Sequence, residues 1–137
     1  MANRDESDVL AANQAFYKAL SAGSIDGLSA ASAHGPNVTA LHETSTKVAI
    51  GWDEVLESWK AVPFQLFSEL SCTMSDPFIR VSGTIAWVVG LEKVRGRMKT
   101  GENFAFTALG TNIYEKRDGR WLVVHHHASK AQEQLVK

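Results

Sequence analysis

The chain has 137 residues, a length typical of one domain, and its 14 basic against 15 acidic residues leave a net charge of −1. This balance argues against nucleic acid or an anionic membrane as the partner, and the single cysteine, Cys72, excludes an internal disulfide or a multi-cysteine metal site. The N-terminus does not read as a signal peptide, and no apolar stretch is long enough to span a bilayer, so we expect a soluble cytoplasmic protein.

Apolar residues recur at helical spacing near the N-terminus. The run from Val9 to Leu20 predicts a first helix, with Ser7 as its N-cap and Gly23 at its C-terminal end. Ser24 is placed to cap a short second helix directly afterwards.

The middle of the chain predicts two short strands and a third helix. Residues 38–42 and 47–50 are short enough and apolar enough to pair as strands. Gly51 leads into a helix whose apolar residues, Trp59 among them, fall on one stripe, and Pro63 ends it.

From residue 66 onward the apolar residues follow the period of strands, with a bulge or edge at Pro77. Helices followed by such a run indicate an α+β domain, a curved antiparallel sheet covered on one face by helices. We expect a single domain over residues 1–137, with a core of about 8–130 and a tail at 131–137. The predicted segments are strands at 66–82, 85–95, 103–116 and 121–129, a polar loop at 96–101 and a hairpin turn at 117–120.

The most conspicuous local motif is the run of three histidines, His125, His126 and His127. On a strand the first and third share one face and His126 takes the other. A histidine pair at this spacing could bind a metal, but no obvious third ligand lies nearby in the sequence, so we predict no metal site and no bound cofactor. Phosphate-binding loops, hydrolase elbows and zinc-protease motifs are absent.

Several segments resemble the nuclear transport factor 2-like superfamily, and in particular its SnoaL-like and ketosteroid-isomerase-like members. They lie at 13–23 (NQAFYKALSAG), 51–60 and 81–96, and the most specific is the ending IYEKRDGRWLVVHHHAS at 113–129. The pattern is also similar to the association domain of calcium/calmodulin-dependent protein kinase II. The resemblance spans about residues 8–130 and implies a cone, a strongly curved sheet that three helices close around an apolar pocket.

The resemblance to ketosteroid isomerases can be transferred residue by residue. Their general base lies at the end of the first strand, which corresponds to His42 here. Their two acidic oxyanion donors correspond to Phe16 on the first helix and to Thr111 or Asn112 on the sheet, and neither position is acidic. Tyr17 is adjacent but points about 100° further around the helix, so we expect it to be structural. The resemblance therefore implies a possible base without the donors of a true steroid isomerase.

The resemblance to the kinase association domain places Glu92 where that domain has a pocket arginine. Two further arginines of that domain correspond to Asn112 and Ala128 here. Its positive pocket for anionic ligands is therefore expected to be absent, and Glu92 reverses the sign of the charge.

Strand parity divides the sheet into two faces. If Glu92 faces the cavity, so does Val88, and on the last strand the resemblance puts Val124 and His126 inside. The opposite, convex face would then carry Trp87, Val89, Trp121, Val123, His125 and His127.

Two tryptophans on a sheet face without a helix need a cover. The dimer common in this superfamily would supply one, which implies a homodimer whose interface contains Trp87, Trp121, His125 and His127. A long loop or the C-terminal tail could cover this face instead.

Two classes of function remain open. In the first, a cofactor-independent isomerase, cyclase or dehydratase acts on a small, largely apolar molecule. His42 abstracts a proton, Glu92 donates one if desolvation keeps it neutral, and Asn112 holds a carbonyl oxygen.

The second is a non-catalytic ligand-binding or assembly domain. In that case His42 would be a hydrogen-bonded core residue and Glu92 would pair with a neighbouring base. The predicted pocket walls are Phe16, Trp59, Val88, Val124 and His126.

Overall fold

A computed structural model describes residues 2–132 and contains three α-helices within that range. The helices are α1 (Ala2–Ser21), α2 (Ile25–Ala31) and α3 (Trp52–Lys60), followed by a 3-10 turn at Phe64–Leu66. The strands are β1 (Thr39–Leu41), β2 (Ala49–Ile50), β3 (Phe67–Ser82), β4 (Ile85–Met98), β5 (Asn103–Arg117) and β6 (Arg120–Lys130). Most of the predicted tail, residues 133–137, lies outside the described residues.

The helices begin and end largely where the sequence predicts. Gly23 adopts the left-handed conformation (φ 63°), and the Gly27 amide donates to Ser24 Oγ over 2.9 Å, which confirms the cap of α2. The start of α1 was predicted wrongly, because the helix begins at Ala2 and Ser7 therefore lies inside it. No helix among residues 2–132 combines the length and apolarity that a bilayer crossing requires.

The strands form one sheet in the order β2-β1-β6-β5-β4-β3, and the α+β cone is confirmed. The sheet is mixed, because β1 runs parallel to β6 while every other neighbouring pair is antiparallel. No short hairpin joins these two strands, so nothing in the connection requires them to be antiparallel. The pairing aligns Leu41 with His127 and places the end of β1 beside the middle of β6.

The three long strands pair over nearly their whole length. β4 continues to Met98, so the polar loop predicted to begin at residue 96 was wrong at its start: Gly96 pairs with Leu70 on one side and Phe104 on the other. The predicted interruption at Pro77 is present as a shift in the β3–β4 register.

A bulge in β6 changes which face its residues occupy. Ile113 pairs with His125, whereas the next residue, Tyr114, pairs with Val123, so Val124 is an extra residue without a partner on β5. One inserted residue reverses the alternation of side chains along the strand. His126 and Val123 therefore both face the interior, although the alternation of an unbulged strand would separate them.

This reversal corrects the predicted position of Trp121. The side chain is only 6 % exposed and belongs to the hydrophobic core, together with Val123. Beside it, the segment that follows α2 is attached to β6 by a hydrogen bond from the Ala33 amide to the Val123 carbonyl. The prediction that Trp121 lies on the convex face was wrong because strand parity cannot anticipate a bulge.

Candidate functional site: an apolar cavity with two histidines and a carboxyl

The interior of the cone contains a cavity of about 190 Å³ between the sheet, α3 and the 3-10 turn. Its walls are mainly aromatic and aliphatic, and its polar groups come from four strands or strand ends. A larger groove of about 360 Å³ lies between α1 and β3, but neither the histidines nor Glu92 line it. The cavity is lined by Leu20, His42, Glu43, Thr44, Trp59, Val62, Pro63, Phe64, Phe67, Leu70, Cys72, Glu92, Val94, Phe104, Phe106 and His126.

His42 follows the last residue of β1 and is buried against the ring of Trp59, with ring centroids 4.0 Å apart. The hydroxyl of Ser58 donates to the Val55 carbonyl (2.6 Å), so it accepts a hydrogen bond from His42 Nε2 (2.9 Å). This assigns the proton of the neutral ring to Nε2 and leaves a lone pair on Nδ1. Among the described residues Nδ1 has no hydrogen-bond partner. Burial lowers the pKa of His42 to about 4, so the ring is neutral near pH 7.

His126 lies on β6, with its ring centroid 5.6 Å from that of His42. Its Nδ1 is 2.6 Å from the side-chain oxygen of Asn112, which can only accept, so Nδ1 carries the proton. The lone pair of the neutral ring is then on Nε2. Burial lowers the pKa of His126 well below its ordinary value, and the proximity of His42 lowers it further.

Glu92 lies on β4 and is 2 % exposed. Burial raises the pKa of its carboxyl to about 7, the hydrogen bond from the Tyr17 hydroxyl to Oε2 (2.5 Å) lowers the pKa in part, and Glu43 raises it. The carboxyl lies directly over Gly110 on β5, where an added Cβ would be 2.8 Å from Oε2. A side chain at this position would therefore displace the carboxyl group.

A buried chain of hydrogen bonds joins the His126 imidazole to the Glu92 carboxyl. The amide nitrogen of Asn112 donates to the Tyr17 oxygen (3.1 Å) and to the side-chain oxygen of Asn13 (3.0 Å). Burial raises the pKa of the Tyr17 hydroxyl, and the nearby carboxylate raises it further, so Tyr17 remains a donor. All hydrogen bonds in this series therefore donate in one direction, from His126 towards Glu92. This direction determines which atoms of the cavity remain free to bind a ligand.

The chain matches the family model of the SnoaL-like domain over residues 9–133. It belongs to the SnoaL-like family. The solved structures to which this SnoaL-like chain is similar include a candidate dehydratase of the nuclear transport factor 2-like family from Streptomyces avermitilis (23 % identity, 97 % of this chain and 100 % of that chain, TM-score 0.86). A second is a nuclear transport factor 2-like superfamily protein from Salmonella enterica (15 % identity, 99 % of this chain and 97 % of that chain, TM-score 0.86). A third is the calcium/calmodulin-dependent protein kinase II hub of S. rosetta (24 % identity, 92 % of this chain and 96 % of that chain, TM-score 0.74). No curated protein sequence matches the chain.

Four of the residues selected from the sequence of this SnoaL-like chain line one cavity: His42, Trp59, Glu92 and His126. Their roles in binding or catalysis stay predictions.

The other predicted pocket residues do not reach the cavity. Phe16 and Asn112 are completely buried behind its wall, where Phe16 packs on the Trp59 and His126 rings and Asn112 belongs to the hydrogen-bond chain. Val88 is buried in the core, and Val124 is half-buried at the bulge of β6. Predicting Phe16, Val88 and Val124 as pocket walls was wrong, because the periodicity of a helix or strand identifies the inner face but not the layer that reaches the cavity. Asn112, predicted to hold a carbonyl oxygen of the substrate, does not line the cavity either.

Sequence reasoning missed the partners that orient the polar groups. Tyr17, expected to be structural, contacts Glu92 directly, and Asn13 accepts from both Asn112 and Tyr114. A signal was present, because Asn13 and Tyr17 are four residues apart and therefore lie on the same face of α1. No pattern in the sequence identified Ser58 as the hydrogen-bond partner of His42.

His125 and His127 lie on the outer face of β6. His125 is half-buried and hydrogen-bonded to Thr39 Oγ1 (2.6 Å), and His127 is exposed, with the two ring centroids 6.2 Å apart. Across the described residues, no three histidine, cysteine, aspartate or glutamate side chains are grouped closely enough to hold a metal ion.

The opposed pKa shifts make the free energy of unfolding depend on pH in two directions. The folded pKa of His42 (about 4) is below the ordinary 6.5, so its contribution to stability is present above pH 6.5 and is lost as the pH falls towards 4. The folded pKa of Glu92 (about 7) is above the ordinary 4.5, so its contribution is present below pH 4.5 and is lost as the pH rises through 7.

Replacing Glu92 with Gln should remove the loss of stability at high pH. We expect Glu92→Gln to gain stability relative to the unmodified chain as the pH rises, by on the order of 3 kcal/mol between pH 4.5 and pH 8. Urea unfolding across this pH range measures the difference. A difference that stays constant with pH would contradict a buried, titrating carboxyl at this position.

Proposed function

We propose that this SnoaL-like chain is a small-molecule enzyme that moves protons within an apolar cavity, as an isomerase, cyclase or dehydratase. One observation supports this most strongly: groups whose pKa values are shifted in opposite directions line one cavity. A neutral imidazole and a carboxyl that titrates near pH 7 are the pair that acid–base catalysis requires.

The proposed roles follow from the free atoms. Nδ1 of His42, which is buried and without a partner among the described residues, takes a proton from a carbon next to the carbonyl group of the substrate once the ring turns towards it. The Glu92 carboxyl gives a proton at the other end of the molecule. In an isomerisation the substrate gains as many protons as it loses, and in a dehydration the donated proton leaves with the hydroxyl group as water. Asn112 has a different role from the one expected, since it orients His126 and Tyr17 instead of binding the substrate.

A small β,γ-unsaturated ketone tests this proposal without knowledge of the natural substrate. The protein should accelerate conversion of 3-cyclohexen-1-one to the conjugated 2-cyclohexen-1-one, followed by ultraviolet absorbance. The reaction needs neutral His42 and protonated Glu92, so kcat/KM should be highest between about pH 4 and about pH 7 and fall above that range. Binding of the ketone, seen by NMR, without any acceleration would favour the non-catalytic alternative.

A second proposal concerns assembly, and the likeness to the kinase hub supports it. The outer face of β3, β4 and β5 carries five large apolar side chains with exposed fractions between 37 % and 62 %. Register places Phe78 beside Val89 and Leu91 beside Leu109, so the five are adjacent. A patch of this kind is typical of a protein interface, and we propose a homodimer formed through it. The patch consists of Phe78, Trp87, Val89, Leu91 and Leu109.

A further inference from the structure

The donors of both cavity histidines, and of the tyrosine behind Glu92, are occupied by the protein itself. The N–H of His42 donates to Ser58, the N–H of His126 donates to Asn112, and the hydroxyl of Tyr17 donates to Glu92. What remains for a ligand is the lone pair on His126 Nε2 and the second oxygen of the Glu92 carboxyl group, since the unpartnered Nδ1 of His42 is itself buried. The free groups therefore include two acceptors, and the donors at the cavity are the Glu92 carboxyl when it is protonated, the Thr44 hydroxyl and the Trp59 indole N–H.

The charges of the cavity have one sign. Among the described residues that line it there is no lysine or arginine, whereas Glu43 and Glu92 both contribute carboxyl groups. A ligand with a carboxylate or phosphate would bury its charge without a cationic partner and next to these carboxyls, which is strongly unfavourable.

We propose that the cavity selects an uncharged molecule with an apolar body and a hydroxyl group, and excludes anions. This inference rests on the proposed function, since it names the class of substrate for the same cavity. A hydroxyl group matches the free atoms because its hydrogen donates to the lone pair of His126 and its oxygen accepts from the Glu92 carboxyl. The apolar body packs against the surrounding rings, which are Trp59, Phe64, Phe67, Phe104 and Phe106.

An ammonium group would also supply donors, but it fits the site less well. The charge of the amine and the charge of an ionised Glu92 would both have to leave water for a largely apolar cavity. A hydroxyl group makes the same hydrogen bonds without burying either charge.

A matched set of probes with one ring system tests this selectivity. Indane, 1-indanol, 1-indanone, indane-1-carboxylate and 1-aminoindane differ only in the group attached to the same bicyclic ring. Their dissociation constants are measured by calorimetry at about pH 6, below the Glu92 pKa of about 7. We expect 1-indanol to bind about fivefold more tightly than indane, 1-indanone to fall between them, and the carboxylate to bind more than about tenfold more weakly than indane. Tighter binding of the carboxylate or of the amine than of 1-indanol would overturn the inference.

A pair of adjacent histidine variants assigns the preference to the cavity. His126→Leu should reduce the advantage of 1-indanol over indane to less than about twofold, whereas His127→Leu, on the exposed face of the same strand, should leave it unchanged. Binding of indane to each variant shows that the cavity is still formed. A role for His126 would be contradicted if both variants lost the advantage of 1-indanol equally, or if both kept it.

These measurements separate the two proposals. The binding series requires no turnover, so a catalytically inert chain can still prefer 1-indanol. Conversely, a chain that isomerises 3-cyclohexen-1-one can bind all the indane probes equally, which would overturn the selectivity alone.

Discussion

Glu92→Gln is expected to reduce the rate of 3-cyclohexen-1-one isomerisation by a factor on the order of 10² to 10⁴, the usual contribution of a positioned general acid. Glutamine keeps the shape of the side chain and can still contact Tyr17, but it cannot supply a proton. The same factor is expected for His42→Gln, because its amide is not a base at the position of the imidazole lone pair. Initial rates at about pH 6 measure both effects.

Glu69→Gln is the matched control for these variants. Glu69 lies on β3, is exposed and does not line the cavity, so it has no role in the proposed proton transfer. Its replacement should change kcat/KM by less than about threefold. Full activity in both Glu92→Gln and His42→Gln, with a normal rate in the control, would contradict the proposed mechanism and favour a binding or assembly domain.

Trp121→Ala is expected to lower the free energy of unfolding by about 3–5 kcal/mol, the usual cost of removing a large buried aromatic side chain. The ring lies in the core, 5.8 Å from the Lys116 ammonium group, and the segment after α2 is hydrogen-bonded to β6 beside it. Trp121→Phe should cost much less, since it refills most of the space and removes an indole N–H that has no partner among the described residues. Urea denaturation measures both values.

Trp87→Ala is the matched tryptophan on the outer face, where Trp87 is 37 % exposed. We expect a loss of less than about 1 kcal/mol in the unfolding of the monomer and weaker self-association in analytical ultracentrifugation. A stable wild-type monomer at micromolar concentration would contradict the proposed dimer. Equal, small losses of stability for Trp87→Ala and Trp121→Ala would contradict the inward position of Trp121.

Local chemistry was sufficient to predict the elements and much of the inner face. Ser24 caps a helix because its hydroxyl can satisfy a free amide, and Asp118-Gly119 form a hairpin turn because both adopt positive φ angles (51° and 78°). Glu92 could be assigned to the interior because the alternation along β4 is continuous from Val88 to Val94. Residue patterns of this length are read from neighbours in the chain, so no distant contact is needed to interpret them.

The orientation of the polar groups depends on contacts that are distant in the chain. The parallel pairing of β1 with β6 brings His42 beside His126, and the bulge at Val124 keeps His126 on the inner face together with Trp121. The bond from Tyr17 to Glu92 joins residues 75 positions apart. Register, bulges and side-chain pairing are determined by the packing of whole elements against each other, so no single segment of the sequence determines them. The sequence therefore identified His42 and Glu92 as candidates, whereas the folded packing determines which of their atoms are free to act on a ligand.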